Sequence, residues 1–129
     1  MDDVNSRPPA TPVGAGESGE VGSVHVMVGP VQTRVVLSGE IDAGIAPELR
    51  DAAADAEAAG RPVEVDARHV RFMDSSGVTL LARLAARTPG RLRLIQPPDV
   101  VRFLLEVTRI RDLIDVVDGD PGFAEDDKS

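Results

Sequence analysis

The chain has 129 residues, enough for one domain of ordinary size, and its formal net charge of −8 argues against a nucleic-acid partner held by a broad basic face. It contains no cysteine, which excludes thiol catalysis, disulfide bonds and thiolate metal sites. No apolar run is long enough to span a bilayer, and the polar start lacks a signal-peptide pattern. We therefore expect a soluble, cytoplasmic protein with no membrane partner.

The acidic excess belongs to the two ends of the chain. Residues 1–20 have four acidic residues against one arginine, and residues 118–129 have five against one lysine. These ends carry −3 and −4, which leaves −1 for the body. Because residues 1–20 also lack a periodic apolar pattern, they cannot repay the entropy of ordering. We expect a disordered N-terminal tail over residues 1–20, a folded domain over residues 21–117 and a flexible acidic C-terminal tail over residues 118–129.

The folded part begins with a predicted β-hairpin. Alternating valines over residues 24–28 form its first strand, Gly29 and Pro30 supply a turn, and a β-branched run over residues 33–37 forms its second strand.

Three amphipathic helices follow, separated by short strands. The first has Pro47 near its start and Gly60 just past its end, the second runs from about Ser76 to Arg87, and the third opens at Asp99. Spacings of three and four predict these inward-facing residues: Leu49, Ala52, Ala53 and Ala56 in the first helix, Val78, Leu81, Ala82 and Ala85 in the second, and Val100, Phe103, Leu104 and Val107 in the third. Strands are predicted over residues 63–67, 70–73, 92–95 and 113–117.

A hairpin followed by alternating helices and strands predicts a single α/β domain. Its mixed β-sheet would have an N-terminal hairpin and later, mostly parallel strands joined by right-handed crossovers and packed with α-helices. Functional residues in such sheets gather where strands end and helices begin. Two loops fit that position, residues 39–46 and residues 74–77.

The loop Asp74-Ser75-Ser76-Gly77 admits two interpretations. Asp and Ser are preferred N-caps, because their side-chain oxygens accept hydrogen bonds from amides of the first helical turn. Alternatively the loop is a modification or anion site, since a phosphate on Ser75 would meet free N–H donors at a helix start. A bare surface at Gly77 would then allow close approach.

Two motifs resemble those of a known family. The run Phe72-Met73-Asp74-Ser75-Ser76-Gly77-Val78, with Gly39-Glu40-Ile41-Asp42 upstream, is similar to the anti-sigma factor antagonist family of bacterial STAS domains. The resemblance covers about residues 24–117 in element order. It implies a STAS-type fold and a regulatory binding protein rather than an enzyme.

The resemblance also assigns roles to residues. It implies that Ser75 is phosphorylated by an anti-sigma factor with serine kinase activity, and that a phosphatase reverses the modification. ATP would be used by the partner kinase, so no cofactor is expected in this chain. Partner binding would involve Asp42, which matches the acid of the upstream motif, together with Asp74, Ser75, Ser76 and Gly77.

Two positions depart from the family pattern. Arg109 stands where the third helix commonly ends in glycine, which puts the geometry of that helix end in question. Thr79 stands where the family often has glycine, which makes the second helix bulkier beside the motif.

Two other classes of function remain at this stage. A hydrolase triad can be written from Ser75, Asp42 and either His25 or His69, although the G-x-S-x-G signature is absent. Two separated histidines without an H-E-x-x-H pattern predict no metal site. The other alternative is a STAS scaffold or interaction module in a larger signalling complex, without a working phosphorylation switch.

Overall fold

The computed structural model describes residues 21–119, so the predicted N-terminal tail and nearly all of the predicted C-terminal tail lie outside the described residues. A five-stranded sheet has the order β1-β2-β3-β4-β5, antiparallel between β1 and β2 and parallel between all later neighbours. The strands are β1 Ser23–Val28, β2 Thr33–Ile41, β3 Val63–Met73, β4 Leu92–Ile95 and β5 Ile114–Val117. The predicted N-terminal hairpin and mixed α/β sheet are confirmed.

Three α-helices connect the parallel strands. They are α1 Ala46–Ala59, α2 Ser75–Arg87 and α3 Asp99–Val107, with short 3-10 helices at Ala43–Ile45 and Ile110–Leu113. Right-handed crossovers that advance through the sheet in one direction place successive helices on the same face. Buried side chains of all three helices accordingly share one apolar cluster with inward-facing strand residues such as Leu37 and Leu94.

The first helix matches the prediction from sequence in detail. Pro47 lies in its first turn, and Gly60 ends it with φ of 68°, a left-handed conformation that glycine adopts at little cost. Its buried residues are the four predicted ones, Leu49, Ala52, Ala53 and Ala56. The inward face was predictable because charged residues occupy much of the rest of this helix.

The predicted inward faces of the other two helices are partly wrong. In α2 the buried residues are Gly77, Leu80, Leu81 and Leu84, and the predicted Val78, Ala82 and Ala85 pack at the flank. In α3 the buried residues are Val101 and Leu105, whereas Phe103 is 64% exposed and Val107 is 56% exposed. Because apolar residues occupy several sides of α3, helical spacing alone does not decide which side meets the sheet.

The strand β3 is longer than predicted. The two predicted strands, residues 63–67 and 70–73, form one strand of 11 residues. Its register with β2 shifts twice, between Val36 and Ser38 and between Gly39 and Glu40. Such irregularities interrupt the alternation of side chains between the two faces of the sheet, on which the prediction of strands from sequence relies. The predicted last strand is shorter, because Leu113 belongs to a 3-10 helix.

A row of charged residues crosses the sheet on the face opposite the helices. Arg34 of β2, Glu64 of β3, Arg93 of β4 and Asp115 of β5 are register partners in turn. Their strand neighbours, such as Val65 and Leu94, belong to the apolar cluster, and successive strand side chains point to opposite faces. The Arg34 and Glu64 side chains form an ion pair of 2.8 Å and are only 6% and 3% exposed.

Candidate functional site

The ends of β2 and β3 bring the two motif loops together. Ile41 and Met73 are register partners, and the Asp74 backbone N–H donates a hydrogen bond of 3.1 Å to the Ile41 carbonyl. Asp42 and Asp74 are therefore the first residues beyond two neighbouring parallel strands, which lie about 4.8 Å apart. The fold thus places both motif acids at one edge of the sheet.

Each of these acids caps a helix. Asp42 Oδ1 accepts a hydrogen bond of 2.9 Å from the Gly44 N–H at the start of a 3-10 helix, and Asp74 Oδ1 accepts one of 2.7 Å from the Ser76 N–H. A cap of this kind contributes about 1 kcal/mol. The capping interpretation of the loop is therefore correct for Asp74, and it needs neither serine hydroxyl.

The two serines differ in exposure. Ser75 is the first residue of α2 and is exposed, whereas Ser76 is half-buried. Among residues 21–119, neither hydroxyl has a hydrogen-bond partner. The Ser75 hydroxyl is therefore the more accessible of the two for modification.

The first-turn amides of α2 are less available than the sequence suggested. The Ser76 N–H is bound by the Asp74 carboxylate, and the N–H groups of Gly77 and Val78 donate to the Asp74 carbonyl at 3.0 and 3.3 Å. The expectation of free donors for a phosphate on Ser75 is wrong for these three amides, because Asp74 already accepts from all of them.

Gly77 has a packing role instead of leaving the surface bare. It is buried, and a Cβ atom at this position would lie 2.5 Å from Met73 Cγ and 2.7 Å from Met73 Sδ. The sequence interpretation of a bare surface is therefore wrong, since the missing side chain makes room for Met73. A role for Gly77 in partner binding stays a prediction.

A groove of about 210 Å³ lies between α1 and α2, beside the serines. Its floor is apolar, and its polar lining includes Ser75, Ser76, Thr79, Arg50 and Arg83. Ser75, Thr79 and Arg83 follow each other at intervals of four, so they share one helix face. The bulkier Thr79 noted in the sequence therefore lines this groove.

Two arginines line the groove in different electrostatic settings. Arg83 donates to both Glu57 oxygens, with a distance of 3.0 Å between Arg83 Nη2 and Glu57 Oε1. These hydrogen bonds from Arg83 hold the pKa of the Glu57 carboxyl below its usual value. Arg50 is exposed and has no ion pair with any residue of the described range. Sequence reasoning missed this groove, because it depends on the pairing of two helices.

The end of α3 keeps a glycine-like conformation without glycine. Arg109 has φ of 68° and ψ of 8°, and it directly follows Thr108, the C-cap residue of α3. The left-handed conformation costs a non-glycine residue about 1–2 kcal/mol. The substitution at this position therefore leaves the turn in place.

The two histidines lie away from Ser75. His69 pairs with Ser38, four residues before the end of β3, and His25 pairs with Val36. Four strand residues span about 13 Å, so neither imidazole is placed as a base for the Ser75 hydroxyl. Residues 21–119 contain no group of three or more His, Asp or Glu residues that could hold a metal ion.

The helices of the described range are also too short or too polar for a bilayer. None of them has an apolar stretch that could cross a membrane.

The fold and the paired motif loops define a single-domain mixed α/β protein with a candidate interaction edge. The family model described as "Mlab, STAS domain" matches residues 24–116. The chain therefore belongs to the STAS domain family. No curated protein matches the chain.

The solved structures that share this fold include two anti-sigma factor antagonists. An anti-sigma factor antagonist from Mycobacterium paratuberculosis aligns with a TM-score of 0.68 and 22% identity, over 81% of this chain and 90% of that one. The anti-sigma factor antagonist SpoIIAA in its unphosphorylated form aligns with a TM-score of 0.60 and 24% identity, over 74% of this chain and 89% of that one. At these identities the similarity shows the fold.

Proposed function

We propose that the protein is an anti-sigma factor antagonist whose unphosphorylated form binds an anti-sigma factor and thereby frees a sigma factor for transcription. The observation that carries the proposal is the exposed Ser75 hydroxyl at the start of α2, beside the two motif acids Asp42 and Asp74. Membership of the STAS family and a fold shared with two anti-sigma factor antagonists support it.

The proposed partner is also a serine kinase. It transfers the terminal phosphoryl group of ATP to Ser75 Oγ, so that a new O–P bond forms, the bond to ADP breaks and the hydroxyl proton is released. A phosphatase hydrolyses the same O–P bond with water and restores the hydroxyl. ATP is bound by the kinase, the antagonist itself uses no cofactor, and the exchange takes place in the cytoplasm.

Phosphosite mapping tests this proposal. The untagged protein is purified from its own cells with its bound partner, and that partner is identified by mass spectrometry and incubated with the protein and ATP. We expect label on the wild type and on Ser76→Ala, and none on Ser75→Ala. Ser76→Ala is the matched control because it removes the neighbouring hydroxyl. Label on Ser76 alone, or a partner unrelated to sigma factors, would contradict the proposal.

Asp42 allows charge to be separated from capping. Asp42→Asn keeps a good N-cap for the 3-10 helix but removes the negative charge, whereas Asp42→Ala removes both. We expect both variants to weaken partner binding about 10-fold or more, because a charged hydrogen bond in an interface contributes about 1.5–3 kcal/mol. Calorimetric titration with the partner measures the affinity. Normal binding by Asp42→Asn would show that Asp42 acts through its cap alone.

A further inference from the structure

We propose that Arg50 receives the phosphoryl group of phosphorylated Ser75 across the groove between α1 and α2 and thereby covers the apolar floor of that groove. This inference rests on the proposed function, because it begins from phosphorylated Ser75. What it adds to that function is a partner for the phosphate within the same chain, a cation on the neighbouring helix α1.

The first reason is the shortage of donors at the start of α2. Asp74 already accepts from the amides of Ser76, Gly77 and Val78. The carboxylates of Asp42 and Asp74 lie at the same edge and repel a phosphate. A phosphoryl group on Ser75 therefore has few free donors within its own loop, which favours a cation from a neighbouring element.

The second reason is the difference between the two groove arginines. Arg83 is held by both Glu57 oxygens, and it lies eight residues after Ser75, about 12 Å along the helix. Arg50 has no ion pair in the described part of the chain, and it lines the same groove as Ser75. Arg50 is therefore the cation that can turn to a phosphate without breaking an existing pair.

The third reason is the position of Arg50 on α1. Both α1 and α2 follow parallel strands, so both begin at the edge that carries Ser75. Arg50 is one turn beyond Ala46, the first residue of α1, and helical side chains lean toward the N-terminus of their helix. From this position we expect the guanidinium to reach toward the level of Ser75, where its planar fork suits a phosphate.

A pair of Arg50 with phosphorylated Ser75 would change the shape of the groove as well as the charge at the sheet edge that carries the motif loops. The floor includes the half-buried Ala46 and the nearly buried Leu49, Ala53 and Leu80, so an apolar side chain of a partner would meet it mainly at Ala46 when Ser75 is unmodified. A guanidinium drawn across to phosphorylated Ser75 lies over that floor. Phosphorylation would then remove an apolar contact in addition to adding a repulsive charge.

The test uses protein with phosphoserine genetically encoded at position 75, so that no kinase is needed. Phosphorus NMR titration follows the second ionisation of the phosphate, whose ordinary pKa is about 6. A nearby cation favours the doubly charged form and lowers this pKa. We expect Arg50→Gln to raise the phosphate pKa by about 0.5 to 1 relative to the otherwise unchanged phosphoprotein.

Arg87→Gln is the matched control. Arg87 is on α2 but lies 12 residues after Ser75, about 18 Å along the helix, and it does not line the groove. We expect this variant to leave the phosphate pKa unchanged. Thermal unfolding gives a second readout, since Arg50→Gln should lower the melting temperature of the phosphoprotein by a few degrees and leave that of the unmodified protein nearly unchanged.

Equal phosphate pKa values in the parent, Arg50→Gln and Arg87→Gln proteins would overturn the role of Arg50. That result would leave the proposed function standing, because kinase labelling and partner affinity test it separately. Conversely, if no kinase labels Ser75, the proposed function fails, while the encoded phosphoserine still reports on Arg50. A rise of the phosphate pKa in both variants would show a general charge effect and would also overturn the specific pairing.

Discussion

Phosphorylation of Ser75 should weaken binding to the anti-sigma partner by a factor of about 100 or more. The modification adds about −1.5 to −2 charges at an exposed position next to Asp74. Imperfectly paired charge in an interface costs several kcal/mol, and each 1.4 kcal/mol changes the affinity about tenfold. The fold should change little, because the modified residue lies at a helix start on the surface. Calorimetric titration of both forms measures the affinities.

Substitutions of Ser75 distinguish the effect of added charge on partner affinity from the effect of losing the hydroxyl. Ser75→Ala should bind the partner with about wild-type affinity and escape phosphorylation, whereas Ser75→Asp or Ser75→Glu should bind weakly. Ser76→Ala serves as the control, since it should remain a kinase substrate and lose affinity on phosphorylation. Equal partner affinity of the phosphorylated and unphosphorylated wild type would contradict a phosphorylation switch, even if Ser75 is labelled.

The parts of the fold that were predictable from the sequence are those bounded by glycine and proline residues. Gly29 and Pro30 mark the hairpin turn, and Pro47 and Gly60 bracket α1, so residue types and backbone geometry agree there. The inward face of α3 was not predictable, because Phe103 and Leu105 are equally apolar and only contact with the sheet distinguishes them. Local chemistry fixes where elements begin and end, but packing selects the buried face.

The candidate site likewise has features that local sequence predicts and features that depend on packing. Linear motifs located Asp42 and the loop after β3, because polar residues at strand ends are visible in a sequence. The groove between α1 and α2 was not visible, since Arg50 of α1 lines one groove with Ser75 and Arg83 of α2 only after both helices pack on the sheet. The role of Gly77 was not visible either, because the Met73 side chain at the end of β3 packs against it only in the folded chain.

The charged row on the other face of the sheet contains a buried ion pair that the sequence did not reveal. Arg34 and Glu64 are far apart in the chain but are register partners on neighbouring strands, with 2.8 Å between Arg34 Nη2 and Glu64 Oε1. Arg93 approaches Glu64 Oε2 at 3.5 Å and is 46% exposed. Arg34 is therefore the closer and less solvated cation for a carboxylate that is almost fully buried.

Arg34→Met should lower the free energy of unfolding by about 3–5 kcal/mol, because it leaves the buried Glu64 charge with only the longer contact to Arg93. The double variant Arg34→Met/Glu64→Leu should recover most of that loss, since apolar residues of similar size can replace a buried ion pair at little cost. Urea unfolding of the single and double variants measures both values.

Arg91→Met is the control for this comparison. Arg91 pairs with Asp115 at a similar distance of 2.8 Å, but both side chains are more than half exposed, so solvent screens the attraction. We expect a loss of less than about 1 kcal/mol for this variant. The two ion pairs have similar distances, so the larger loss of unfolding free energy in Arg34→Met should come from the burial of its pair. If Arg34→Met cost no more than Arg91→Met, the Glu64 charge would be solvated in the folded protein, and the row would contribute nothing to stability through burial.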